Sequence, residues 1–181
     1  EAAALLHAAG PVVAHDAALL TLPSLFDAQS EKTPDAVALI YEDVHLSYGA
    51  LASRSNQLAR YLIDRGVGPD AVVAILLDRS FEMIVAMLGV LKAGGTYQPL
   101  DPEYPAQRLS FMIGDSGAVF VISDGALYAG LDTQDAVLPP QIDVYDAALL
   151  QQLEALPDGV IAPSERIAAL QPEHLAYLIY T

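Results

Sequence analysis

AVVAILL, Ala71 to Leu77, is an unbroken apolar run with no polar residue at alternate positions. A strand with one wet face alternates; a strand covered on both faces does not have to. The run therefore predicts a strand inside a parallel sheet with helices on both sides. AVFVI, Ala118 to Ile122, reads the same way. Between the two, Ser80 is placed to cap a helix with Ile84, Met87, Leu88 and Leu91 at helical spacing, and Phe81, Val85 and Val90 widen its stripe. That helix is apolar nearly all round and is expected to be buried. Thr96 to Leu100 reads as the next strand. Pro105 can open a helix at its first position, running through Leu109 and Ile113 to Gly117.

Upstream, Leu22 to Glu31 has helical spacing and stops at Thr33-Pro34. Ala36 to Tyr41 and Val44 to Ser47 form a hairpin-like pair across Glu42-Asp43. Ser47 is a good N-cap for a helix with Leu51, Leu58 and Leu62 on one face, where Arg60 and Asp64 can make a weak exposed ion pair. Downstream, Gln141 to Val144 and Leu175 to Tyr180 read as strands. The stretch from Asp132 to Pro172 is acidic, carries several prolines, and reads as a surface excursion. Residues 1–21 are Ala- and Leu-rich, broken at Gly10-Pro11, and read as a short helix and a linker. Alternating strands and helices give an α/β class with a largely parallel sheet flanked by helices.

With 54% hydrophobic and 17% charged residues, the chain can build a sizeable core. The formal net charge of −15, with only 8 Lys and Arg, leaves no basic face for nucleic acid or for an anionic membrane. There is no cysteine, so disulfides and thiolate metal sites are excluded. No apolar segment reaches the length needed to span a bilayer, and no basic region precedes an apolar one at the start, from which a cytoplasmic location is expected.

The richest stretch for chemistry is LKAGGTYQPLDPEYP, Leu91 to Pro105. Lys92 sits in a last helical turn, where a cation meets the negative end of the helix dipole. Gly94 and Gly95 permit positive φ and close backbone approach. Pro99, Pro102 and Pro105 stiffen the path that follows. Scaffolding explains all of this, and no phosphate-loop signature of the G-x-G-x-x-G or G-K-[ST] kind occurs. Arg79, after Asp78 at the end of a buried strand, is the best lone candidate for an anion contact; local pairing competes with that reading. Asp101 and Glu103 are close together, as carboxylates in acidic loops often are. His7, His15, His45 and His174 are scattered without metal-ligand spacing. No catalytic residue and no metal ligand is identified.

Taken together, several stretches carry a resemblance. LSYGAL, Leu46 to Leu51, resembles the first core motif of the adenylation domains of nonribosomal peptide synthetases, and LKAGGTYQPLDP resembles their second. LPSLFDAQSEKTPDAVALIY looks like the usual opening of such a domain, RLSFMIGDSGAVFVIS like the helix and strand after the second motif, and HLAYLIYT like the start of the third. Gln98, where the family usually has an apolar residue, and Gly95-Thr96 depart from the pattern.

The resemblance covers Leu22 to Thr181 and implies the N-terminal portion of an adenylate-forming enzyme fold, incomplete as given; residues 1–21 resemble a linker from an upstream condensation domain. In this family the third motif continues into a Ser/Thr/Gly-rich loop that wraps the phosphates of ATP, so Thr181 is the one cofactor-binding residue the resemblance implies. The implied activity joins an amino acid to ATP and passes the aminoacyl group to the phosphopantetheine thiol of a carrier protein. ATP and Mg²⁺ belong to the complete enzyme, with none expected on this stretch alone. The implied partners are the amino acid, the carrier protein, the condensation domain and the rest of the adenylation domain. An acyl-CoA synthetase-like ligase and a non-catalytic docking piece between modules are the alternatives.

Overall fold

The structure is a computed structural model that describes residues 21–133 and 137–180. The expected linker at 1–21 therefore lies outside the described residues except for Thr21. Thr21 caps α1 (Leu22–Lys32): its hydroxyl accepts from Ser24 N, and Ser24 Oγ accepts from Thr21 N. A two-stranded antiparallel hairpin follows, β1 (Val37–Tyr41) with β2 (Val44–Ser47), closed by Glu42 at φ 51°. Ser47 then accepts from Ala50 N and starts α2 (Tyr48–Ile63).

The main sheet has four parallel strands in the order β4-β3-β5-β6: β3 (Val72–Leu76), β4 (Thr96–Leu100), β5 (Phe120–Ser123) and β6 (Gln141–Asp143). The AVVAILL run supplies β3, buried at every position between two neighbours. Its two faces serve two different cores. Val73, Ile75 and Leu77 join Leu51, Leu58, Leu62, Val85 and Val90 from α2 and from α3 (Phe81–Ala93). Ala74 and Leu76 join Leu109, Met112 and Ile113 from α4 (Ala106–Asp115). Apolar side chains are therefore needed at consecutive positions, which is why the run shows no alternation.

The structure departs from the sequence reading in several places. Along α3, Val85, Ala86, Gly89, Val90 and Ala93 are buried, but Ile84, Met87, Leu88 and Leu91 are only half covered and line an open apolar groove with Phe26, Ala38 and Leu51. Pro105 is the N-cap of α4 rather than its first residue. The stretch from 132 onward is more than a surface excursion. It supplies β6, as Gln141 to Val144 suggested, and also α6 (Ala147–Glu154), whose Leu149 is buried in the first core together with Ile142, Val144 and Ile161. A short α5 (Gly125–Ala129) precedes it.

Arg60 does not pair with Asp64. Its guanidinium reaches Glu165 through Nε at 2.7 Å and Nη2 at 3.0 Å, and donates to the carbonyls of Pro157, Gly159 and Val160. A planar fork with several donors can hold a whole turn of backbone, where one exposed carboxylate a helical turn away offers little.

Leu175 to Tyr180 is not a regular strand. It runs beside the free edge of β4 and meets it at one parallel bridge, Tyr97 to Tyr177. Tyr97 N donates to Ala176 O at 3.2 Å, and Leu178 N donates to Tyr97 O at 3.0 Å. The next rung would need an N–H from residue 99, and Pro99 has none. The even-numbered N–H groups of β4 face β3, so the proline is tolerated on that side and stops the ladder only on the outer one.

Candidate functional site

The segment Gln171 to Tyr180 leads to Thr181, the residue that the resemblance implies for phosphate contact; Thr181 itself lies outside the described residues. The seat of this segment is built from the LKAGGTYQPL stretch. Gly94 ends α3 at φ 98°, a conformation that side chains with a Cβ rarely adopt, and Leu170 packs against it. At Gly95 a Cβ would stand 2.8 Å from Val67 Cγ1 and 3.1 Å from the carbonyl oxygen of Ala71. The glycine pair thus turns the chain directly from helix into β4 and brings the segment after Leu170 close to it.

Several contacts then hold the segment. Thr96 Oγ1 donates to Leu175 O at 3.0 Å. Tyr97 makes the two backbone bonds to Ala176 and Leu178. The rings of Tyr97 and Tyr177 lie 5.9 Å apart, tilted by 34°. Finally, Tyr180 packs against the core under α4, and its hydroxyl donates to Asp115 Oδ2 at 2.6 Å. Ala176, Leu178 and Tyr180 face the protein while Leu175, Tyr177 and Ile179 are exposed, the alternation of a strand with one covered face. Because the bridge is parallel, the segment travels with β4 toward the carboxyl edge of the sheet, where ligands gather in open α/β folds.

The residues singled out in the sequence fall into distinct places. Arg79 is exposed, beyond the carboxyl end of β3, and lines an open depression with Asp78, Asp101, Glu103 and Tyr41. Asp101 Oδ1 accepts from Glu103 N at 3.0 Å, so this carboxylate pair shapes a turn. His45 is exposed on β2, and His174 Nδ1 accepts from Gln171 N. His7 and His15 lie outside the described residues. Among the described residues no three His, Cys, Asp or Glu side chains gather to hold a metal, and no helix is long and apolar enough to cross a membrane.

Lys92 corrects the reading of it as a helix-end cation. It is in the last turn of α3 but fully buried, paired with Asp27 at 2.7 Å and donating to Asn56 Oδ1. Burial lowers its pKa from 10.5, and the Asp27 carboxylate opposes that shift. Gln98 is equally enclosed. Its Nε2 donates to Met112 O and its Oε1 accepts from Ser116 Oγ, which explains how a polar side chain is accommodated in the interior. Thr96, Tyr97, Asp115 and Tyr180 were not singled out as site residues. All four lay inside stretches that carry the resemblance, but nothing local joins Asp115 to a tyrosine so distant in the chain.

Comparison with known proteins bears on the identity of this seat. A family model described as AMP-binding enzyme matches residues 26–181. A dimodular nonribosomal peptide synthase of Bacillus subtilis is 42% identical over 160 residues, which is 88% of this chain and 7% of that protein. Tyrocidine synthase 3 of Brevibacillus parabrevis is 42% identical over 161 residues, 89% of this chain and 2% of that one. Among solved structures, the nonribosomal peptide synthetase FmoA3 in its AMPPNP-bound form superposes with a TM-score of 0.77 at 27% identity, over 93% of this chain and 17% of that chain. This chain thus spans only a small part of the relatives it matches. It belongs to the AMP-binding enzyme family, as the N-terminal part of an adenylation domain of the nonribosomal peptide synthetase kind.

Proposed function

We propose that this chain forms the N-terminal wall of a domain that activates an amino acid with ATP in nonribosomal peptide synthesis. In that reaction a carboxylate oxygen attacks the α-phosphorus of ATP and pyrophosphate leaves. The thiol of a carrier protein's phosphopantetheine then takes the acyl group from the aminoacyl-AMP, and AMP leaves. Residues 1–21 would be the linker from an upstream condensation domain. What supports the reading is the seat on β4: Gln171 to Tyr180 is held along the sheet edge and runs toward its carboxyl end, where ligands gather in open α/β folds.

The role of this stretch is to hold and aim, and the named residues include no general acid or base. Mg²⁺ offsets phosphate charge in such reactions, and the described residues gather no ligand set for it, so no step is assigned to it. The chain alone is expected to be inactive. Exchange of pyrophosphate into ATP, with a panel of amino acids, tests the reading. The chain alone should be silent, and the same chain continued through the C-terminal domain should respond to one or a few amino acids. Exchange by the purified chain above a no-enzyme blank would overturn it, as would an extended domain that activates only fatty acids.

A further inference from the structure

Among the described residues, the last backbone hydrogen bond holding the terminal segment to β4 is made by Leu178 N. Pro99 removes the following one. Two residues therefore separate the last main-chain anchor from Thr181, and across that gap the described anchor is a side chain: the Tyr180 hydroxyl on Asp115 Oδ2, at 2.6 Å. The ring itself rests on the core that contains Leu100 and Ile113.

Asp115 is the last residue of α4. A carboxylate there faces the negative end of the helix dipole, an unfavourable position. Helix propensity and capping give no reason for an acid at this point. The hydroxyl of Tyr180 does give one, because a bond from O–H to an ionised carboxylate is among the stronger kinds. The hydroxyl also stays protonated at any ordinary pH: burial, then the bond to Asp115 and its charge, pushes its pKa up to about 12.

We infer that Asp115 and Tyr180 are positioning residues for ATP: their hydrogen bond replaces the rung that Pro99 deletes and fixes the backbone immediately before the phosphate-contacting loop. This rests on the function proposed above. Loop N–H groups stabilise phosphate only when aimed, and small misplacements far from the reacting atoms are costly in rate. On this assignment the segment serves the nucleotide, so the effect should fall on one substrate.

The experiment uses the complete adenylation domain and pyrophosphate exchange, with KM measured separately for ATP and for the amino acid. Tyr180→Phe removes one hydroxyl from a half-exposed ring and leaves the packing intact. It should raise KM for ATP three- to tenfold while KM for the amino acid stays within twofold. Asp115→Ala should match it, the double variant should be no worse than either single one, and Asp115→Asn, which keeps an oxygen acceptor, should recover most of the loss. Equal changes in both KM values, or a Tyr180→Phe domain with unchanged KM for ATP, would overturn the inference. Additive losses in the double variant would overturn it too. An unsubstituted domain without amino-acid-dependent exchange would instead sink the function on which it rests.

Discussion

Lys92 Nζ stands 2.7 Å from Asp27 Oδ1, and none of the lysine side chain reaches solvent. The pair links α1 to α3, and Asn56 brings in α2 through its Oδ1 while its Nδ2 donates to Asp158 O. Phe26 adds a ring 4.9 Å from the ammonium. A buried pair of this kind returns little net stability, because desolvation offsets most of the attraction, but breaking one half of it is costly. Asp27→Ala should therefore destabilise the complete adenylation domain by about 3–5 kcal/mol. Asp27→Leu combined with Lys92→Met should fall within about 1–2 kcal/mol of the parent. Urea unfolding midpoints separate the two; equal losses in both would contradict the account.

The two adjacent glycines should respond differently from an exposed one. Gly95→Ala places a Cβ against Val67 Cγ1 and the Ala71 carbonyl. Overpacking of this kind costs about 1–3 kcal/mol. Gly94→Val meets Leu170 and is strained at φ 98° besides, and should damage folding or solubility more than it changes substrate affinity. Gly114→Ala, with nothing within 4 Å of the new carbon, is the control and should be close to neutral or stabilising. A well-folded Gly94→Val domain that had lost only ATP affinity would argue against scaffolding as the role of this turn.

Gln98 offers a case where removing polarity should be mild. Its two partners keep other bonds: Met112 O also accepts from Ser116 N, and Ser116 Oγ also donates to Ile113 O. Gln98→Leu should thus cost no more than about 1 kcal/mol. Gln98→Ala leaves a void as well and should cost about 2–4 kcal/mol. Thermal unfolding of both variants checks the order, and a reversed order would show that the amide bonds outweigh packing.

Acid should release the Arg60 clamp. Hydrogen bonds from Arg60 hold the Glu165 carboxyl below its usual 4.5, with a smaller contribution from the Ala162 N–H. A depressed carboxylate contributes stability that is present above 4.5 and lost as pH falls through the folded value. The contribution is small, about 1 kcal/mol or less, since the carboxylate is partly exposed. Glu165→Gln should therefore lower the unfolding midpoint slightly at pH 7, and the gap from the parent should close below pH 4.5. A gap that widened on acidification would contradict the sign.

Elements with a local cause were readable from the sequence. β3 announced itself because both its faces are covered, and Ser47 and Ser80 announced α2 and α3 because a hydroxyl before an apolar stripe has one common use. Asp146 ahead of Leu149 and Leu153 is the same signal for α6, hidden among prolines and acidic residues that suggested a loop. Relations between distant residues were not readable. Arg60 was matched with the nearest acid, and Lys92 with the nearest dipole, when the partners of both lie on other elements. For the site, the motif around Thr96 and Tyr97 was visible, but its use as a seat depends on pairing with residues about eighty positions later.

The Arg60 clamp has a temporal side. Its acceptors lie 97 to 105 positions further along the chain. At synthesis rates of about 5–20 residues per second, α2 waits roughly 5–20 seconds before they exist. Meanwhile α3, β3 and β4 can begin to pack on it, since all three end by Leu100, while β5 and α4, which cover the rest of β3, follow later. A nascent chain halted near Val137 should therefore hold a collapsed helix-and-sheet layer whose α2 is still wet along the Arg60 and Asn56 side. Translation through Arg166 would then dry that side last. Pulse labelling of arrested ribosomal complexes, read as amide exchange in α2 before and after Glu165 emerges, would show the order in which the two sides of one helix close.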